Sequence, residues 1–143
     1  MISVILPVYN GETYLIDAVD SVLNQDFEEF EFVIIDDCSS DRSKEILAKY
    51  QRDTRVNLIY NEENLGLFAT LNKGILEANG TFLKIWAQDD IMMPGCLAAF
   101  QSAFHSYPKS SFIWSQSSAI MSRDSLQNLK SSDLTSLGEA NNV

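Results

Sequence analysis

Over residues 1–121, short apolar runs alternate with segments whose apolar residues recur every three to four positions. Parallel strands need a long crossover between them, and a helix is the usual one, so this order implies βαβ units and an α/β domain with a mostly parallel central sheet flanked by helices. Ser3 to Pro7 is a continuous apolar run, as expected of a strand covered on both faces, and Asn10-Gly11 breaks it. Phe30 to Ile35 is a second such run, stopped by Asp36-Asp37. Val56 to Tyr60 and Thr81 to Trp86 read as the third and fourth strands, and Phe112 to Met121 as a further strand or two.

The intervening segments carry helix signals. Leu15, Ile16, Val19, Val22 and Leu23 place one apolar face on a helix over 12–24, with Asn10 as its cap and Glu12 near its positive end. Ser39 or Ser40 is the expected cap of a helix bearing Ile46, Leu47 and Tyr50. Asn64 to Gly66 turns into a helix bearing Leu67, Leu71, Ile75 and Leu76, which Asn79-Gly80 should close with a left-handed cap. Pro94 suits the first turn of a helix marked by Leu97, Gln101 and Phe104. Residues 1–121 are thus expected to form one domain, and the Ser- and Asn-rich segment 122–143 a mobile tail or the start of a missing part.

Twenty acidic against ten basic residues give a net charge of −10, which repels a phosphate backbone and argues against nucleic acid as a partner. A free nucleotide is anionic too, so a site for one in this chain needs local positive charge, and a divalent cation supplies it. The sequence shows neither a membrane-length apolar run nor a secretory signal, so the expected location is cytoplasmic. Cys38 and Cys96 lack metal-ligand spacing and read as separate reduced thiols.

In open α/β sheets, ligands bind beyond the carboxyl ends of the strands. Three clusters fall there: Pro7 to Asn10, Asp36-Asp37, and Asp89-Asp90. Carboxylates drawn into one cleft raise each other's pKa unless a cation joins them. Oxygen ligands of this kind suit Mg²⁺ or Mn²⁺, which take one or two protein carboxylates and leave other positions to water and phosphate. Singly, such aspartates are more often turn and cap residues; the arrangement carries the inference. Arg42, Lys44 and Lys73 read as solvated or Glu-paired helix residues, Trp86 and Trp114 as packing residues, and His105 as a helix-end residue.

Ser3-Val-Ile-Leu-Pro-Val-Tyr-Asn10 followed by Val33-Ile-Ile-Asp-Asp-Cys-Ser-Ser-Asp41 resembles the opening of the inverting glycosyltransferases of family 2. Asn64-Leu-Gly66, Leu71-Asn-Lys-Gly-Ile75, and Asp89-Asp90 before Met93-Pro94 are similar to its next signatures, so the resemblance covers about residues 2 to 105. It implies the GT-A fold and a nucleoside-diphosphate sugar as donor. Carried over by position, Pro7 and Tyr9 line the base pocket, Tyr9 by stacking, and Asp37 accepts a hydrogen bond from a base with an imide N–H, uracil or thymine. Asp90 is the expected ligand of Mn²⁺ or Mg²⁺, and Asp89 lies nearer the ribose or sugar. Ala87-Gln88 stand where many relatives have a further aspartate, which leaves Asp90 as the one expected metal ligand. Cys38 stands where glycine is frequent, implying a turn with no need of positive φ.

The resemblance further implies sugar transfer with inversion to a saccharide or lipid-linked acceptor, in cell-surface polysaccharide or glycoconjugate synthesis. The family's general base lies well downstream of the metal motif. Asp124, Asp133 and Glu139 sit in a segment that does not match, so the expectation is a donor-binding fragment without its base, whose missing part could reach the inner face of a membrane. A receiver-like signalling domain would need an acidic pair after strand one, and a dinucleotide-binding dehydrogenase a glycine-rich turn there; neither is present. A non-catalytic module that kept the nucleotide-sugar pocket is the remaining alternative.

Overall fold

The computed structural model describes residues 1–110. Its elements run β1 (Ile2–Val8), α1 (Leu15–Leu23), β2 (Phe30–Asp36), α2 (Ser43–Leu47), β3 (Val56–Tyr60), α3 (Leu67–Glu77), β4 (Phe82–Ile85) and α4 (Cys96–Ser106). Residues 1–101 form one compact unit; a second begins at Ser102, and of it only 102–110 fall among the described residues. The expected strand at 112–121, the boundary at 121 and the segment 122–143 lie outside them.

The sheet has the order β3-β2-β1-β4 with every pairing parallel, as the strand-helix alternation predicts. Alternate residues of each strand face opposite ways. Ile2, Val4, Leu6 and Val8 of β1 and Phe30, Phe32 and Ile34 of β2 point into the main core, where they meet Leu15, Val19 and Val22 of α1, Ile46 and Leu47 of α2, and Leu97 of α4. Ile5, Val33 and Ile35 point the other way, toward Leu71 of α3 and Ile59 of β3. Burial on both faces explains the unbroken apolar runs, each large side chain so buried contributing roughly 1.5–3 kcal/mol.

Helix α3 lies close to the sheet because Gly74 faces it: a Cβ there would stand 2.6 Å from both Ile35 Cδ1 and Ile5 Cγ2. Only Thr70 and Gly74 of α3 are buried, while Leu67, Phe68 and Leu76 are exposed, so the apolar pattern that announces this helix is only partly spent on the described core.

Four expectations about helix ends need correction. Helix α1 begins at Leu15 and has no side-chain cap; Asn10 instead accepts the Ser40 N–H, and Glu12 accepts the Arg42 N–H at the start of α2. Neither Ser39 nor Ser40 caps α2, which spans five residues; Asp41 accepts the Ser43 N–H there, and the Ser39 hydroxyl receives the N–H of Asn10. The β1–α1 and β2–α2 loops have thus exchanged their capping groups, a pairing that only adjacent parallel strands make available.

Helix α3 ends in extended backbone at Ala78, not in a left-handed cap at Asn79-Gly80. The Glu31 carboxylate receives the backbone N–H groups of both residues, and Gly80 packs against Ser3 so closely that a Cβ would lie 2.5 Å from its hydroxyl oxygen. Pro94 precedes α4 rather than opening it; Gly95, at φ 78, turns the chain, and its carbonyl accepts the Ala99 N–H. Among the described residues no helix is long and apolar enough to cross a membrane.

Candidate functional site

Chain direction creates the site. From β1 the chain moves outward to β2 and β3, then returns to place β4 on the opposite side of β1. Loops after β1 and β4 therefore diverge, opening a crevice at their carboxyl ends. A cleft of about 540 Å³ occupies this position. Pro7, Tyr9, Asp37, Asp89 and Asp90, singled out from the sequence, all border it, together with Leu67, Thr70 and Leu71 of α3 and Ile85 and Trp86.

Asp37, 3% exposed, ends the β2 side of the cleft. Its Oδ1 accepts the Asn61 amide and the Leu65 N–H, each at 2.8 Å, and its Oδ2 accepts the Gly66 N–H at 2.8 Å. Burial works against ionisation, but the Leu65 N–H, the Asn61 amide, the Thr70 hydroxyl and the Gly66 N–H outweigh it and hold the carboxyl below its ordinary value. Helix α3 has no side-chain cap of its own, so this anion from β2 serves its positive end. Lys73 donates to Asn61 Oδ1 at 2.7 Å and extends the network. Asn61, Thr70 and Lys73 escape the sequence reading because their partners are distant in sequence; Lys73, read there as a solvated helix residue, is instead tied into this buried cluster.

Cys38 adopts φ 60, so the turn expected to have no need of positive φ takes it even without a glycine. The chain must reverse immediately after a buried aspartate, and its Sγ donates to the Glu62 carbonyl at 3.4 Å. Both cysteines are free thiols. Asp36 lies wholly buried, receiving the Ser39 N–H at 3.1 Å with the Lys44 ammonium 3.9 Å away.

Across the cleft, Asp89 and Asp90 are exposed and accept no hydrogen bond from the described residues. Partial burial and the neighbouring Asp89 charge raise the Asp90 pKa, opposed by Lys84. Lys84 is held between two rings, 5.2 Å from the Trp86 centroid and 4.4 Å from that of Phe100. The segment after the acidic pair is fixed by buried Gln25, whose amide donates to the Met92 and Met93 carbonyls and accepts the Leu97 N–H. Two unpartnered, mutually repelling carboxylates are a donor set suited to a hard divalent cation. No cluster of three or more such ligands occurs among the described residues, so an ion held here would complete its shell with water or ligand oxygens.

Tyr9 is 48% exposed, its ring free to meet a ligand while its backbone is held by the Gln88 amide. Trp86 packs against the main core, as read from the sequence, and also reaches the cleft rim. His105 lies exposed in the last turn of α4.

The chain is similar in sequence and in fold to known proteins. The chain is 40% identical over 91 residues to TuaG of Bacillus subtilis (strain 168), whose name assigns it to teichuronic acid biosynthesis as a glycosyltransferase; the match covers 63% of this chain and 36% of that protein. S. aureus TarS 1–349, solved in complex with UDP-GlcNAc, superposes with a TM-score of 0.71 at 31% identity, over 75% of this chain and 32% of that one. The mannosyltransferase PcManGT from Pyrobaculum calidifontis, solved with GDP-Man and Mn²⁺, gives 0.58 at 25% identity, over 63% of this chain and 28% of that one. The chain spans about a third of the length of these relatives. The family described as Glycosyl transferase family 2 matches residues 3–135, past residue 105 where the legible motifs stop, and the chain belongs to that family.

Proposed function

We propose that the cleft binds the nucleoside diphosphate of a sugar donor, and that the protein this domain serves transfers the sugar to an acceptor hydroxyl with inversion. The observation that carries the reading is the meeting of Tyr9, Asp37, Asp89 and Asp90 around one cleft at the point where strand order reverses. The base lies on Tyr9 beside Pro7, and the imide N–H of uracil or thymine donates to the Asp37 carboxylate. That charge-assisted bond is worth roughly 1.5–3 kcal/mol and disfavours adenine and cytosine, which present no imide donor. The complex of TarS with UDP-GlcNAc supports a uridine donor, while that of PcManGT with GDP-Man marks guanine as the competing base.

Asp90 would hold Mg²⁺ or Mn²⁺, with Asp89 toward the ribose or sugar; the bound cation supplies electrostatic stabilisation to the departing diphosphate. The Mn²⁺ in the PcManGT complex supports a divalent cation as the cofactor. The protein's own contribution is geometric: the Asp37 network fixes the loop beneath the base, and Gln25 fixes the acidic turn. Residues 1–121 serve as the donor domain in this reading. The attacking hydroxyl needs a general base, and Asp37, Asp89 and Asp90, the carboxylates bordering the cleft, already have these other duties. Acceptor binding and deprotonation fall to another part of the polypeptide. The name of TuaG supports a polysaccharide product of the bacterial surface.

Titration calorimetry with UDP, dTDP, GDP and ADP, each with Mn²⁺ and with chelator, tests the reading. Metal-dependent binding of a pyrimidine diphosphate is the expected result. Equal affinity for ADP would remove the role of Asp37, and indifference to metal that of Asp90.

A further inference from the structure

The last backbone bond joining β1 to β4 runs from the Trp86 N–H to the Ile5 carbonyl, at 2.9 Å. Beyond it Pro7 has no N–H with which to continue, and the strands part to open the cleft. The Gln88 side chain bridges the gap. Its Oε1 accepts the Tyr9 N–H at 2.9 Å and its Nε2 donates to the Tyr9 carbonyl at 3.1 Å, so one amide does the work of a missing strand partner. The contact needs a bare backbone beside it: a Cβ on Gly11 would stand 2.7 Å from Gln88 Oε1.

Gln88 directly precedes Asp89-Asp90, while Tyr9 leads through the Asn10 N–H, donated to the Ser39 hydroxyl at 3.0 Å, into the loop that follows Asp37. We propose that Gln88 is a positioning residue that sets the distance between the acidic turn and the nucleoside side of the cleft by clamping the Tyr9 backbone. It touches neither the base nor a metal in this role, and the proposal rests on the donor-binding reading above. The Gln amide accepts through its oxygen and donates through its nitrogen at any ordinary pH, whereas the acid of similar size can only accept once it ionises.

Uridine, which lacks phosphates and so makes no contact through a metal, isolates the effect. Its affinity for the full 143-residue chain is compared among wild type, Gln88→Met, which keeps the length but has no amide, and Gln88→Glu, each across about pH 4.5 to 8, the range in which a carboxyl next to other acids changes state. Gln88→Met is expected to bind uridine about tenfold more weakly at every pH, the loss of two ordinary hydrogen bonds. Gln88→Glu is expected to approach wild type when protonated, since the acid then accepts from the Tyr9 N–H and donates to its carbonyl, and to weaken as pH rises and two acceptors face each other. Tyr9, Glu12, Asp36, Asp37, Cys38, Asp41, Lys84, Asp89 and Asp90, titratable groups on the bordering loops and strands, are common to both proteins, so the wild-type curve removes their share.

A merely structural residue would shift melting temperature without this pH profile. Wild-type uridine affinity in Gln88→Met, or parallel pH curves for Gln88→Glu and wild type, would overturn the proposal alone. Failure of the wild-type chain to bind either uridine or UDP would bring down the donor reading and this proposal together.

Discussion

The Asp37 carboxylate and the Gly66 N–H meet at 2.8 Å across 29 residues of sequence, joining the end of β2 to the start of α3. Because Leu65 and Asn61 share the same carboxylate, Asp37→Asn would set an amide against donors that need an acceptor. A loss of about 2–3 kcal/mol is expected in urea unfolding, the scale of bonds to a charged group. The sign of the pH dependence follows from the lowered pKa: the stabilisation is complete above the ordinary value of 3.8 and is lost as pH falls through the lower folded value. The stability gap between wild type and Asp37→Asn should therefore narrow in acid; a constant gap would contradict an ionic anchor.

Asp90 has the opposite sign. Its pKa is raised by burial and by Asp89, so its ionised form opposes folding and does so increasingly as pH rises through the carboxylate range. Asp90→Asn should melt at or slightly above the wild-type temperature without metal, yet lose at least about tenfold in Mn²⁺-assisted UDP affinity, some 1.4 kcal/mol. Scanning calorimetry and titration on the same samples separate the two effects. A drop in melting temperature would give Asp90 a structural role instead.

Gly74→Ala tests the close approach of α3. Alanine improves helix propensity by about 1 kcal/mol, but its methyl would stand 2.6 Å from two buried isoleucines, and such overpacking costs about 1–3 kcal/mol. Net destabilisation of about 1–2 kcal/mol is expected, relieved when Ile35 is also shortened to Val. A stabilised single variant would show that the helix can lift without loss.

Cys38 holds φ 60 with a side chain attached. Cys38→Gly should fall within about 1 kcal/mol of wild type, relief of a strain of about 1–2 kcal/mol being set against the entropy glycine adds to the unfolded chain. Cys38→Val should destabilise by about 1–2 kcal/mol, because a branched Cβ tolerates this region worse. Equal stability of the two variants would remove the backbone argument.

Sequence alone determined the strand order in the chain, the parallel class of the sheet and the three clusters at strand ends, since each is written in local period and in residues that stop a strand. Tyr9, Asp37, Asp89 and Asp90 were legible as a set because their motifs stand in family order. Capping partners, the Asp37 network and the Gln88 clamp were not legible. Asn10 finds Ser40, Glu31 finds Asn79 and Gln88 finds Tyr9 only after parallel pairing brings segments 30 to 79 residues apart together at one end of the sheet or the other. A lone polar side chain satisfies whichever unpaired backbone group lies within about 3 Å, and that neighbour is chosen by the packing of the sheet, not by adjacent residues.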